Sequence, residues 1–339
     1  MASGLNIKNL NVLKPKTIKD YLKAASRFAT ERNLPNPLYR HNKYGARLGN
    51  GMFPALQGWI QFLEKWDGPP NKAWSLDLKI LLALQAMATN QILTPTACAI
   101  DGIILGSYTG SRVSEYCKGT TRRGEQFAIV PKNRFTQEWG GLPIALISRD
   151  FTFTDASHAL LTHEQARNKA QCVSIRFRFD KGGGRNFSTR TFRRLTSNEY
   201  LCPIQTSLRM LHRWRLLGAD VNYPVCCYKE IKTNYIKVLA DTQVTATIRQ
   251  AVVLAYPNPA HIFRENISFF RTHSVRVFAC CTLLAAGLTE AQIEFKLRWS
   301  STAWKTYIRE SLAEVDSTSL VLFRSALVDL ANETLPSNY

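Results

Sequence analysis

Acidic residues are scarce: 25 Asp and Glu face 44 Lys and Arg over 339 residues, a formal charge of +19 at pH 7. An excess of that size repels itself unless a polyanion is the usual partner, and nucleic acid is the leading candidate. Long hydrophobic runs are also missing. The longest apolar pieces, such as residues 280–288, fall well short of the ~18 residues that span a bilayer, so no membrane segment is expected. The opening stretch, MASGLNIKNLNVLKPK, has no apolar core of the kind a secretory leader needs, and the expected setting is intracellular and DNA-associated, in the cytoplasm and nucleoid or in the nucleus. Eight cysteines are present without any C-x-x-C or zinc-ligand spacing, although Cys226/Cys227 and Cys280/Cys281 are adjacent pairs; they read as reduced, mostly buried small residues. His158 and His163 with Glu164 do not form HExxH, and the glycine run 182–184 lacks the Lys-Ser/Thr of a P-loop. Neither a metal nor a cofactor is implied.

What remains is ordinary globular composition, 45% hydrophobic and 20% charged, long enough for about two domains. The first fifty residues carry ten Lys/Arg against two acids. Within them, residues 17–32 read as an amphipathic helix capped by Thr17, with Ile18, Tyr21, Leu22, Ala25 and Phe28 on one face and Lys19, Lys23, Arg27 and Arg32 at the other positions. A second helix is expected at 54–66, before the break Asp67-Gly-Pro-Pro70. That break marks the linker between a helical basic domain, 1–70, expected to contact DNA, and a second domain, 73–339.

In the second domain, residues 75–89 and 94–105 read as apolar helices with Ser75 and Thr94 as caps. Strand character follows at 145–154 and 172–179. The latter alternates Val173, Ile175, Phe177 and Phe179 with Ser174, Arg176, Arg178 and Asp180, which predicts one buried and one basic face. Lys181-Gly-Gly-Gly-Arg185 makes a turn into a strand at 186–192, giving a β-hairpin with Lys181 at its tip. Helices dominate thereafter, the last at about 317–332. The fold class is therefore mainly α with a small β-sheet.

Three segments stand out: Tyr108-Thr-Gly-Ser-Arg-Val-Ser-Glu115, Thr272-His-Ser-Val-Arg276, and Arg298-Trp-Ser-Ser-Thr-Ala-Trp-Lys-Thr-Tyr-Ile-Arg309. With the Lys181 hairpin they resemble the tyrosine recombinase, or phage integrase, family in order and type across residues 73–315. The resemblance implies a two-domain clamp around duplex DNA and site-specific recombination or integration through a 3′-phosphotyrosyl intermediate, of the kind mobile elements use. Arg112 and Arg276 would hold the non-bridging phosphate oxygens, because planar, permanently charged guanidiniums suit paired hydrogen bonds to an oxyanion. Tyr307 would be the nucleophile, His273 would position or deprotonate it, and Lys181 would protonate the departing 5′ oxygen. Glu115, three residues after Arg112, would orient that guanidinium. Trp299 takes the family's His/Trp position, with Arg298 the alternative, since Trp299 to Tyr307 spans eight residues. The distance from Arg112 to Lys181 implies an insertion at 117–142.

Residues 171–215 hold ten Lys/Arg against two acids, so Arg176, Arg178, Arg185, Arg190 and Arg193 join Lys19, Lys23 and Arg27 as expected DNA contacts. The expected partners are double-stranded DNA and further copies of the chain, as a dimer on one site and a tetramer in synapsis, with the terminal helix as the device of assembly. A type IB topoisomerase, or a catalytically silent DNA-binding descendant of a recombinase, would share much of this pattern.

Overall fold

A computed structural model describes residues 5–6, 11–12, 15–32, 34, 36, 38–39, 73–88, 91–117, 145–178 and 188–299. The helices expected at 54–66 and 317–332, the linker, the insertion, the Lys181 hairpin tip with Arg185, and Tyr307 lie outside these residues. The chain divides into two compact units, residues 1–72 and 73–339.

In the first unit, strands β1 (Leu5–Asn6) and β2 (Asn11–Val12) pair antiparallel ahead of helix α1 (Pro15–Glu31). The helix begins two residues before the expected cap. Lys19 lies on it, and Lys23 and Arg27 are exposed. Its apolar stripe is only partly covered: Ala29 is buried, while Tyr21 and Phe28 are more than half exposed and Arg32 stacks on Phe28 at 5.0 Å.

The second unit is mainly α-helical with a small antiparallel sheet. Helix α2 (Leu78–Ala86) starts two residues later than the Ser75 cap predicts. Asp77 is its N-cap and accepts from the Ile80 N–H at 2.8 Å, while the Ser75 hydroxyl donates to the Leu76 carbonyl. A carboxylate satisfies an orphan first-turn N–H at least as well as a hydroxyl, and Asp77 sits where that bond can form. Helix α3 (Pro95–Thr109) follows its Thr94 cap, which accepts from the Ala97 N–H at 3.2 Å, with proline at the first helical position. Every residue from Cys98 to Thr109 is buried, as befits a helix apolar all round that runs through the core. One acid in that run, Asp101, is held by Arg209 at 2.8 Å and by Arg213, both on α6 (Pro203–Leu216). Burial of a carboxylate at that depth requires such paired cations.

After α4 (Val113–Tyr116), a 3₁₀ turn (Ser148–Asp150) interrupts the stretch 145–154 expected as strand, leaving β3 as Phe151–Thr154. Strand β4 (Leu160–Leu161), helix α5 (His163–Lys169), β5 (Cys172–Phe177) and β6 (Ser188–Arg193) complete a sheet in the order β4-β3-β5-β6, antiparallel throughout. The β5–β6 register pairs Cys172 with Arg193 and Phe177 with Ser188, which places the two strands as the hairpin pattern predicts. Val173, Ile175 and Phe177 face the core with Phe192. A second hairpin, β7 (Cys227–Lys229) with β8 (Ile236–Val238), leads into α7 (Asp241–Ala255), the short α8 (Ile262–Glu265), α9 (Thr272–Ala285) and α10 (Glu290–Leu297). Helix α3 packs against α6, α7 and α9, so the helices that lead into the Tyr108–Glu115 segment and carry the Thr272–Arg276 segment share one core. All eight cysteines are free and buried. No helix among the described residues is long and apolar enough to cross a membrane.

Candidate active site

Helix α3 ends at Gly110, whose φ of +57° is a left-handed conformation. A Cβ there would lie 2.4 Å from Leu297 Cδ2, so only glycine lets the turn press against the end of α10. The turn delivers Arg112 as the N-cap of α4. Glu115, at 4% exposure, accepts the Arg112 backbone N–H at 2.7 Å, while the Arg112 guanidinium comes only to 3.7 Å of the carboxylate.

Glu115 instead holds Arg298. The two guanidinium nitrogens of Arg298 donate to the two carboxylate oxygens at 2.9 Å each, a bidentate pair joining the α3–α4 turn to the end of α10. Burial works to raise the Glu115 pKa, but the Arg298 charge and hydrogen bonds, with the Arg112 N–H, outweigh it and hold the carboxyl below its usual range. The Arg298 guanidinium also lies 3.4 Å from the Phe177 ring centre on β5. The sequence pattern has Glu115 orienting the Arg112 guanidinium; in the structure the carboxylate pairs bidentately with Arg298, and the Arg112 guanidinium stands 3.7 Å away.

Helix α9 begins at Thr272, with Arg271 as N-cap, so His273 and Arg276 occupy its first turns as the motif spacing predicts. Ser274 accepts the Arg271 N–H at 3.1 Å, and Gly287, at φ +85°, follows the helix end. The half-buried imidazole of His273 is pushed down to a pKa of about 4, by burial first and then by Arg276 and Arg271. It is neutral at pH 7. The Arg276 guanidinium stacks on Trp299, 4.4 Å from the ring centre. Trp299 is 8% exposed and its N–H of the main chain donates to Glu294, so the indole is a fixed platform just past α10. Of the two residues considered for the His/Trp position, Trp299 is the one in contact with Arg276, and Arg298 is committed to Glu115.

The α3–α4 turn, the start of α9 and the end of α10 thus converge. Close packing supports the convergence, for a Cβ on Gly106 would meet Val275 Cγ1 at 2.9 Å. Lys181, Arg185 and Tyr307 are not among the described residues.

The basic hairpin face needs correction at two positions. Arg178 is 4% exposed: its Nε donates to Asp150 at 2.9 Å and its Nη2 to the Ala145 carbonyl at 2.7 Å, so it is a core ion pair and not a DNA contact. Strand β5 ends at Phe177, and the alternation that would turn the next side chain outward ends with it. Arg190 is half-buried and turned onto α10. It stacks on Phe295 at 4.1 Å, and its Nε donates to the Phe295 carbonyl at 3.1 Å, binding the last carbonyls of that helix. Burial, and then the charge of Arg298, lower its pKa to about 10. Arg193 is exposed and Arg176 half-buried on the sheet. An acid within an apolar helix was a readable signal for the Asp101–Arg213 pair; the Asp150–Arg178 pair had no comparable signal.

The chain matches no protein-family model and no curated protein.

Proposed function

We propose that the chain is a site-specific DNA recombinase that cuts and rejoins DNA through a 3′-phosphotyrosyl intermediate. The observation that carries this reading is the stacking of Arg276, in the first turns of α9, on Trp299, beside a buried Glu115 that joins Arg112 to Arg298. The helix leading to Arg112 and the helix carrying Arg276 come from segments more than 150 residues apart in the chain and pack on each other, Gly106 against Val275. Guanidiniums fixed in this way suit a phosphodiester whose non-bridging oxygens gain charge in the transition state.

In this reading the Tyr307 oxygen attacks phosphorus and the bond from phosphorus to the 5′ oxygen breaks. The tyrosine proton passes to neutral His273 or to solvent, and the leaving 5′ oxygen takes a proton from Lys181. The new phosphotyrosyl ester conserves the energy of the broken bond, so a 5′-hydroxyl from a second strand can reverse the step. The basic first unit and the catalytic unit would together clamp duplex DNA, and strand exchange would need further copies of the chain.

A nicked duplex that loses its 5′-hydroxyl fragment on cleavage tests the proposal. The expected result is a covalent adduct that maps to Tyr307 and is absent from Tyr307→Phe, which still binds DNA. No adduct, or an adduct on another tyrosine, overturns it.

A further inference from the structure

Glu115 has two carboxylate oxygens and one well-placed competitor for them. Arg112, three residues away on the same turn, holds its guanidinium at 3.7 Å with 31% of its side chain accessible. Arg298 takes both oxygens and keeps only 10% of its side chain accessible. It does so from a left-handed backbone, φ +58°, which disfavours any residue with a Cβ, and its guanidinium sits over the Phe177 ring at 3.4 Å from the centre. A glycine would suit that helix end better, so the backbone there is set against local preference while the side chain makes a bidentate bond across the site.

We propose that Arg298 is a positioning residue: by occupying both oxygens of Glu115, it keeps the Arg112 guanidinium from closing onto that carboxylate and leaves it available to an anion. A buried carboxylate without a partner draws in the nearest cation, and without Arg298 that cation is Arg112. The Arg112–Glu115 pair would then be neutral, and its guanidinium hydrogen bonds would be spent inside the protein. That the anion is a DNA phosphodiester rests on the function proposed above; the competition among the three side chains does not.

Reaction of Arg112 with phenylglyoxal in the full-length chain without DNA, followed by peptide mapping, tests the competition directly. Arg112 is expected to react readily in the wild type, several-fold more slowly in Arg298→Gly, and again at the wild-type rate in Arg298→Gly/Glu115→Gln, where a neutral amide no longer captures it. A wild-type rate in the single variant overturns the proposal. Should Arg298→Gly unfold, Arg298→Lys carries the test: an ammonium holds one oxygen and leaves the other to Arg112, so partial protection is expected and an unchanged rate overturns the proposal. On DNA, adduct formation should fall in Arg298→Gly, and an undiminished adduct would show that Arg112 needs no such release and overturn the positioning role. The expected reactivity pattern with no adduct in the wild type would instead support the positioning role and sink the recombinase reading.

Discussion

The guanidinium carbon of Arg276 lies 4.4 Å from the ring centre of Trp299, which makes the tryptophan a platform for an arginine rather than simply a core side chain. The indole itself is buried at 8% exposure, so it holds the arginine from a rigid base. Under the proposed reaction, an arginine seated in this way is what electrostatic stabilisation of a transition state requires.

Trp299→Ala should therefore act on two measurements. Loss of a buried tryptophan costs about 3–5 kcal/mol in a core, read by urea unfolding. Trp299→Phe keeps a ring face and should retain more stability and more phosphotyrosyl adduct than the alanine variant. If the two variants are equally inactive at a temperature where both are folded, the ring face is not what Arg276 needs.

His273 yields a pH prediction. Its folded pKa of about 4 lies below the 6.5 of an unperturbed imidazole, because burial and two arginines disfavour the charged ring. The unfolded chain takes up the proton first as pH falls, so the neutral histidine contributes stability that is complete above about 6.5 and is lost as pH falls toward 4. His163 is lowered to about 4 as well and titrates in the same window. His273→Gln should remove one part of the acid destabilisation between these limits, measured by urea midpoints at several pH values. An unchanged slope would mean that the imidazole is solvated.

How far the sequence could reach follows from the range of each rule. Thr94 and Pro95 announce α3 because a cap and its helix are neighbours, and the β5–β6 pairing follows from alternation within a few residues. The same alternation fails at Arg178, where the strand ends and Asp150, 28 positions back, decides the orientation. Arg112, Arg276 and Trp299 could be chosen by type and order. That Arg298 would bind Glu115, 183 positions away, could not, because no local rule ranks two arginines competing for one carboxylate. Ser75 and Asp77 show the same limit on a small scale: both residue types cap helices, and the first buried turn selects the acid.

Gly110 offers a test of the packing that brings the motifs together. An alanine there meets two penalties, a left-handed φ of +57° and a Cβ placed 2.4 Å from Leu297. The first costs roughly 1–2 kcal/mol, and overpacking typically adds about 1–3 kcal/mol. Gly110→Ala should lower the urea midpoint accordingly. Adding Leu297→Ala should make the two changes non-additive, because it removes the clash but not the backbone penalty. Strict additivity of the two losses would show that the turn does not press on α10.

Arg178, just past the end of β5, and Arg193, on β6, allow the proposed nucleic-acid contact to be tested apart from structure. Arg178 is buried against Asp150, whereas Arg193, on β6, is exposed. Asp150→Ala leaves a buried guanidinium without its counter-charge, a change expected to destabilise by about 3–5 kcal/mol. It should leave the salt dependence of DNA binding unchanged at a temperature where the protein is folded. Arg193→Ala should do the reverse, with little effect on the urea midpoint and a loss of about 0.9 in the slope of log K against log salt, the release expected when one phosphate contact is removed. Fluorescence anisotropy on a labelled duplex at several salt concentrations gives both slopes. If Asp150→Ala flattens the slope while Arg193→Ala does not, the buried pair supports the DNA-facing surface and the exposed edge of β6 points away from it.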